Sequence, residues 1–314
     1  MTVRVKIVWV VVLLLSVGIV PVHAQEGRLP DQALGLLDRI IEAQQHLEQY
    51  DSYVIDGAGE QTQSVAVILG LSSQIAARST DWEQRVTVVQ VAEPNMQSDV
   101  SASVMLRDVS PQRHEKTSSF DLNGEARLVG DRLYARADVM QSGPDAPDLP
   151  DGWVLVDTPD VLALYADLRL RDLTTGDLPL ADRQRVIAAA ENIAVERITV
   201  NGTQADRITV DFNRDGLAML LLPDGEGVDP LMQAMVDAAG SGFRARLVVT
   251  LDDQNNPLAI EMDLFMEAMG VDGSSLMPGE VPQGMTLDFS YSMHDSKTYS
   301  QVNTPVEPVP APVQ

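Results

Sequence analysis

The sequence predicts an α+β protein, mainly antiparallel β, with about ten to twelve strands and helices inserted between them in pairs. Three observations carry this. Apolar and polar residues alternate over long stretches of the last third, short turn signals join successive stretches, and helical spacing is confined to separate segments. Connections this short suit hairpins and not crossovers, so the sheet should be antiparallel.

Pro30-Asp31 opens the first segment, 31–49, in which Leu34, Leu37, Ile40, Ile41 and Leu47 recur at helical spacing. The period then falls to two. Segments 52–63 and 65–71 read as extended, with Gly57 and Gly59 loosening the first. Segment 82–91 is strand-like and Pro94-Asn95 marks a turn. Beyond it Val100, Ala102, Val104 and Leu106 alternate with Ser101, Ser103 and Arg107, which predicts a hairpin with one wet face. Segments 125–129 and 132–137 flank Gly130-Asp131, a two-residue hairpin turn. The proline-rich stretch 143–152 cannot donate to a ladder and leads into a short strand at 153–156.

Thr158 as cap and Pro159 in the first turn start a helix with Val161, Leu162, Tyr165 and Leu168 as its apolar stripe. A second helix is predicted over 180–192. Strands at 194–200 and 205–212 meet at Asn201-Gly202, whose turn chemistry also accounts for the glycosylation-like Asn201-Gly202-Thr203. Two short helices follow at 215–222 and 229–239. The last three strands are the most regular: Phe243, Ala245, Leu247, Val249 and Leu251 share one face; Leu258, Ile260, Met262, Leu264 and Met266 another; Met285, Leu287, Phe289, Tyr291 and Met293 the third. Asp252 to Asn256 reads as turn chemistry. No break in composition divides the chain, so residues 25–303 are expected to form one domain. Residues 304–314, with Pro305, Pro308, Pro310 and Pro312, are expected to be an extended tail.

Arg4 and Lys6, an apolar run of 14 residues from Ile7 to Val20, and small residues Val22 and Ala24 together form a secretory signal, expected to be cleaved after Ala24. The run is shorter than the roughly 18 residues that read as a span, so no membrane span should remain after cleavage. An uncleaved anchor is the other reading, and export to the periplasm or beyond the cell is common to both. The chain has no cysteine, which excludes disulfides, thiolate metal sites, a cysteine nucleophile and a lipidated cysteine. Losing Arg4 and Lys6 takes 46 acidic and 22 basic residues to 46 and 20, a net charge of about −26, which repels nucleic acid.

No catalytic set stands out. His46, His114 and His294 are isolated, and there is no nucleophile elbow, phosphate loop or paired-histidine motif. Acidic residues around Gly225 and Gly227 would repel phosphate. Glu261 and Asp263 lie at i and i+2 and could chelate a cation or act as acid and base, yet a chain this acidic places such pairs on any solvent-facing strand. No enzyme activity, metal or cofactor is expected.

Methionine is the informative residue. Nine of the twelve after Met1 lie in the last third, while aromatic residues make up only 4% of the chain. Met232 and Met235 share one face of a short helix. Met262, Leu264, Met266, Met285, Leu287, Phe289 and Met293 lie on apolar strand faces. Methionine adapts to apolar partners of varied shape, so these nine residues are the candidate lining of a ligand cavity. Filling a core short of aromatics is the more usual role of methionine, and that reading stays open.

The order of short motifs resembles the LolA-like and LppX/LprG-like families of periplasmic lipoprotein and lipid carriers. Ser52-Tyr53 after the first helix, Gly130-Asp131-Arg132-Leu133-Tyr134, Trp153, and Asn303-Thr304-Pro305-Val306 with Pro308 carry the likeness across nearly the whole exported chain. The resemblance implies a strongly curved, half-open barrel sheet with helices lidding its concave face, and an apolar small molecule or lipid as ligand. The chain departs from the family in two ways: it has no cysteine to carry a lipid, and it is longer around 65–80 and 141–151. The expected function is a non-enzymatic carrier. The alternative is an envelope protein-interaction or sensor module of the same fold with a filled core.

Overall fold

The computed structural model describes residues 31–70, 72–89, 95–110, 113–129, 132–141, 152–155, 190–212, 242–273 and 284–305. Helix α1 (Asp31–Gln49) matches the 3.6-residue spacing of its apolar positions, and Leu37, Ile40, Ile41, Ala43 and Leu47 are buried along one side. It ends where Tyr50 N donates to the Leu47 carbonyl and the chain turns into the sheet. Among the described residues, no helix is long and apolar enough to cross a membrane.

Among the described residues the sheet has eleven strands: β1 (Ser52–Leu69), β2 (Ser72–Val89), β3 (Asn95–Ser110), β4 (Arg113–Val129), β5 (Arg132–Gln141), β6 (Val154–Leu155), β7 (Ala190–Val200), β8 (Thr203–Phe212), β9 (Arg244–Asp252), β10 (Pro257–Asp272) and β11 (Met285–Ser300). Their hydrogen-bonded order is β6-β5-β4-β3-β2-β1-β11-β10-β9-β8-β7, and every pairing is antiparallel. The chain runs outward from β1 to one edge, then begins again at the other edge and works back until β11 lies beside β1. β1 and β11 are therefore central, and among the described residues β6 and β7 are the edges.

The tight turns follow their sequence. Val129 pairs with Arg132 across Gly130-Asp131. Val200 pairs with Thr203 across Asn201-Gly202, with φ of 50° and 84°, as a turn with two left-handed residues requires. Asp252 closes the next turn with its own side chain, Oδ1 accepting from Gln254 N and Asn256 N at 2.8 Å each.

Several boundaries differ from the sequence reading. The segment 52–63 and the one that begins at 65 are a single unbroken strand ending at Leu69, because β2 and β11 pair along it. The stretch 65–80 is thus the tip of the β1–β2 hairpin. β4 and β11 also run well beyond their most regular parts. Residues 190–192, expected to end a helix, are strand: Ala190 pairs with Phe212 and Asn192 with Asp211, and this pairing outweighs the local helical preference. The helices expected at 158–168, 180–189, 215–222 and 229–239 lie outside the described residues, as does the N-terminal signal. The helices expected to lid the concave face are among those segments.

Alternation gives the sheet two faces. On β10, residues 258 to 268 of even number face the same way as Met285, Leu287, Phe289, Tyr291 and Met293 on β11. Helix α1 packs on this inner face over β7 to β10. Leu37, Ile40 and Ala43 join Ile208, Val210, Phe212, Leu247, Val249 and Leu251 in one core. Leu47 caps a second core of Tyr53, Ile55, Val86 and Tyr299. Arg39 pins the helix by donating to Asp206 at 2.8 Å and to Asn255 at 2.7 Å. The chain leaves β11 beside the start of β1, where Asn303 N donates to the Ser52 carbonyl and Asn303 Oδ1 accepts from Asp51 N, both at 2.8 Å. That clamp gives the Asn303-Thr304-Pro305 motif a physical role.

Candidate functional site

The inner face beyond α1 is lined by a third cluster: Val65, Met266, Ala268, Val271, Met285, Leu287 and Phe289, with Val67, Phe243 and Tyr291 against it. All but Phe243 lie on β1, β10 and β11, and Phe243 immediately precedes β9. Helix α1 contributes to the other two cores and not to this one. The residues converge because β1, β11 and β10 are adjacent and in register, with Val65 opposite Phe289 and Ala268 opposite Phe289 from the other side.

The candidate lining is thereby divided. Met266, Met285, Leu287 and Phe289 form the heart of this third cluster. Met262 belongs to the core beneath α1, where Leu264 and Met293 are half-buried neighbours. Leu264 and Met293 face each other across β10 and β11. Met232 and Met235 lie outside the described residues. Met269 points the other way and is 67% exposed at the β10 bulge.

Sequence reading missed a polar island on this same apolar face. In β1 the inner positions between Ile55 and Val65 are Gly57, Gly59, Gln61 and Gln63. The register sets Gln84, Trp82, Thr80 and Arg78 beside them on β2, and Lys297, Asp295, Met293 and Tyr291 on β11. The glycines explain how large side chains fit. A Cβ on Gly57 would stand 2.7 Å from Gln84 Nε2, and one on Gly59 would collide with the Trp82 ring and lie 2.5 Å from the His294 carbonyl oxygen. Gln84 and Trp82 therefore lie across β1 towards β11. Lys297 Nζ sits 3.3 Å from Asp295 Oδ2, with side chains only 13% and 22% exposed. Gln63 (8% exposed), Gln84 (7%) and Thr80 are buried. Three atoms of this island, Gln63 Nε2, Gln84 Oε1 and Asp295 Oδ1, are buried with no hydrogen-bond partner. The signal for it was present: continuing the alternation through Gly57, Gly59, Gln61 and Gln63 puts polar and small residues where apolar ones belong.

The carboxylate pair Glu261 and Asp263 lies on the outer face. Glu261 accepts from Arg207 at 3.2 Å, and Asp263 pairs with His294 Nδ1 at 2.7 Å. His294 lies within β11, well inside its ends. The hydrogen bond to Asp263, with the negative charges of Asp263, Glu261 and Glu60, raises its pKa despite partial burial. The arrangement is an ion-pair ladder that also includes Arg246 with Asp211 at 2.7 Å. Among the described residues, no three side chains are grouped to hold a metal ion.

Comparison with solved structures finds distant likenesses. The chain is similar to LprF from Mycobacterium bovis. The match covers 90% of this chain and 99% of that one, at 12% identity and a TM-score of 0.36. A DUF1329 family protein from Desulfovibrio piger matches over 87% and 93%, at 7% identity and a TM-score of 0.24. Likeness at this level carries no argument about ligand or activity. No family model and no curated protein matches the sequence.

Proposed function

We propose that the protein is an exported, non-enzymatic carrier of an apolar ligand, an acyl chain laid on the inner face of β1, β11 and β10. One observation carries the reading: this methionine-rich cluster is built from strand faces that α1 does not cover, although α1 packs on the rest of the same face. Each methylene withdrawn from water there contributes about 0.8 kcal/mol. On this reading residues 25–303 are one carrier domain. The sheet curves around the ligand, the segments outside the described residues lid it, and 1–24 is the export signal. Met262, Leu264 and Met293 border the chain's path, with Met232 and Met235 above it. The test is to delipidate the purified protein and titrate it with a fluorescent fatty acid. Saturable binding at one site supports the carrier, and its absence ends the proposal.

The low exposure of Met266, Met285, Leu287 and Phe289 favours a second reading, an envelope interaction module whose core is already full. Substitution of Met266 separates the two.

A further inference from the structure

We propose that β7 is the seam of a two-fold dimer, in which β7 of a second copy of this chain pairs with it antiparallel and carries the sheet from one protomer into the next. This holds whatever ligand the inner face takes. The two edges of the sheet differ. β6 is two residues long and leaves little to pair with. β7 has eleven residues, with no proline, glycine or lysine to discourage a partner strand, and a bulge disturbs only its start, between Ala190 and Asn192. Among the described residues nothing pairs with its outer side. Ala194, Val195 and Glu196 at its centre are exposed, Val195 to 49%, although alternation turns Val195 to the same face as its buried neighbour Ile208.

The turn decides which backbone groups are open. Val200 and Thr203 close a two-residue hairpin and exchange hydrogen bonds, so Ile198, Glu196 and Ala194 are likewise turned to β8. The N–H and C=O groups of Ile193, Val195 and Arg197 then point away from the sheet. A second copy suits this row best in one register. Faces match only when the two-fold axis, perpendicular to the sheet, passes through a residue. On Ala194 it sets Ile193 opposite the partner's Val195, twice by symmetry, and Glu191 opposite the partner's Arg197. Arg197 holds Asp206 and Asp253 within its own chain, yet it is 46% exposed and open to a further carboxylate. Moved to Val195, the axis sets Ile193 against the partner's Arg197. Moved to Glu196, it sets like charges together, and moved to Ile193 it sets Glu191 against the partner's Val195. With the axis on Ala194, Ile193, already packed on the core beneath α1, extends that core to the partner.

The chain has no cysteine, so single substitutions report the register. In Ala194→Cys the two thiols meet across the axis at a non-hydrogen-bonded pair, with Cα atoms about 4.5 Å apart, within reach of a disulfide. Mild oxidation should link this variant into dimers. In Glu196→Cys the thiols stand about 13 Å apart along the seam and should not link. Sedimentation of the unaltered protein should show a concentration-dependent dimer. Val195→Pro removes an outward N–H from each copy while sparing the bonds to β8, and should weaken the dimer about tenfold. If that variant does not fold, Val195→Lys puts a charge at the same place and should weaken it likewise. A protein that sediments as a monomer at every concentration, with Ala194→Cys failing to link, overturns the proposal. So does a dimer that links as readily through Glu196→Cys, or one that these changes at Val195 leave intact.

Discussion

Met266→Ala decides whether the third cluster is a ligand groove or a filled core. The side chain is 7% exposed among Val65, Val271, Met285, Leu287 and Phe289. Truncation removes three methylene-sized groups, worth roughly 2.4 kcal/mol at about 0.8 kcal/mol each. In a filled core the unrelaxed cavity adds to this and brings the loss to about 4 kcal/mol. For a chain of this length that lowers Tm by about 8 °C. In a groove the space opens to the ligand's side, so the cavity contribution largely disappears. The loss should then stay near 2 kcal/mol, and affinity for a fluorescent fatty acid should fall about tenfold. Leu247→Ala calibrates the experiment: it removes three carbons from a side chain 1% exposed beneath α1, so it should lose about 4 kcal/mol and leave affinity unchanged. Thermal melts and probe titrations on both variants give the four numbers. A Met266→Ala loss equal to that of Leu247→Ala, with affinity intact, would refute the groove.

Other predictions address the packing and the ion pairs. Gly59→Ala should destabilise by about 3 kcal/mol, because the new methyl meets both the Trp82 ring and the His294 carbonyl, and a shift in tryptophan fluorescence should accompany it. Arg197, and secondarily Arg39, hold the Asp206 carboxyl below its usual pKa. Its contribution is present above the unfolded value near 3.8 and is lost as pH falls through the depressed one. Acid melts should therefore show Asp206→Asn losing less stability than the parent below that point. The raised His294 pKa acts in the opposite sense: its contribution is full below about 6.5 and is lost as pH rises through the elevated value, and His294→Gln should abolish that part of the pH profile. Asn303→Ala removes the acceptor for Asp51 N and places a residue without a polar side chain at φ 52°. It should cost about 1–2 kcal/mol and speed hydrogen exchange at Asp51.

The local elements were legible wherever pattern and turn chemistry agreed. Helix α1 was found because its apolar spacing is uninterrupted, and the Asn201-Gly202 and Gly130-Asp131 hairpins because few residues tolerate those turns. The strands lost their true lengths in the sequence reading where inner positions are not apolar. Gly57 to Gln63 in β1, and Asp295 and Lys297 in β11, look like loosened or finished strands until partners on both sides hold them in register.

From the sequence alone come the antiparallel character, the turns and the apolar faces, because side-chain alternation and left-handed turn residues are properties of neighbours along the chain. Only the tertiary structure decided that the first and last strands lie side by side, since pairing across the chain leaves no local mark. That one adjacency brings Gln84, Gly57, Gly59, Asp295 and Lys297 together, and divides the methionines between a helix-covered core and a cluster of strand faces.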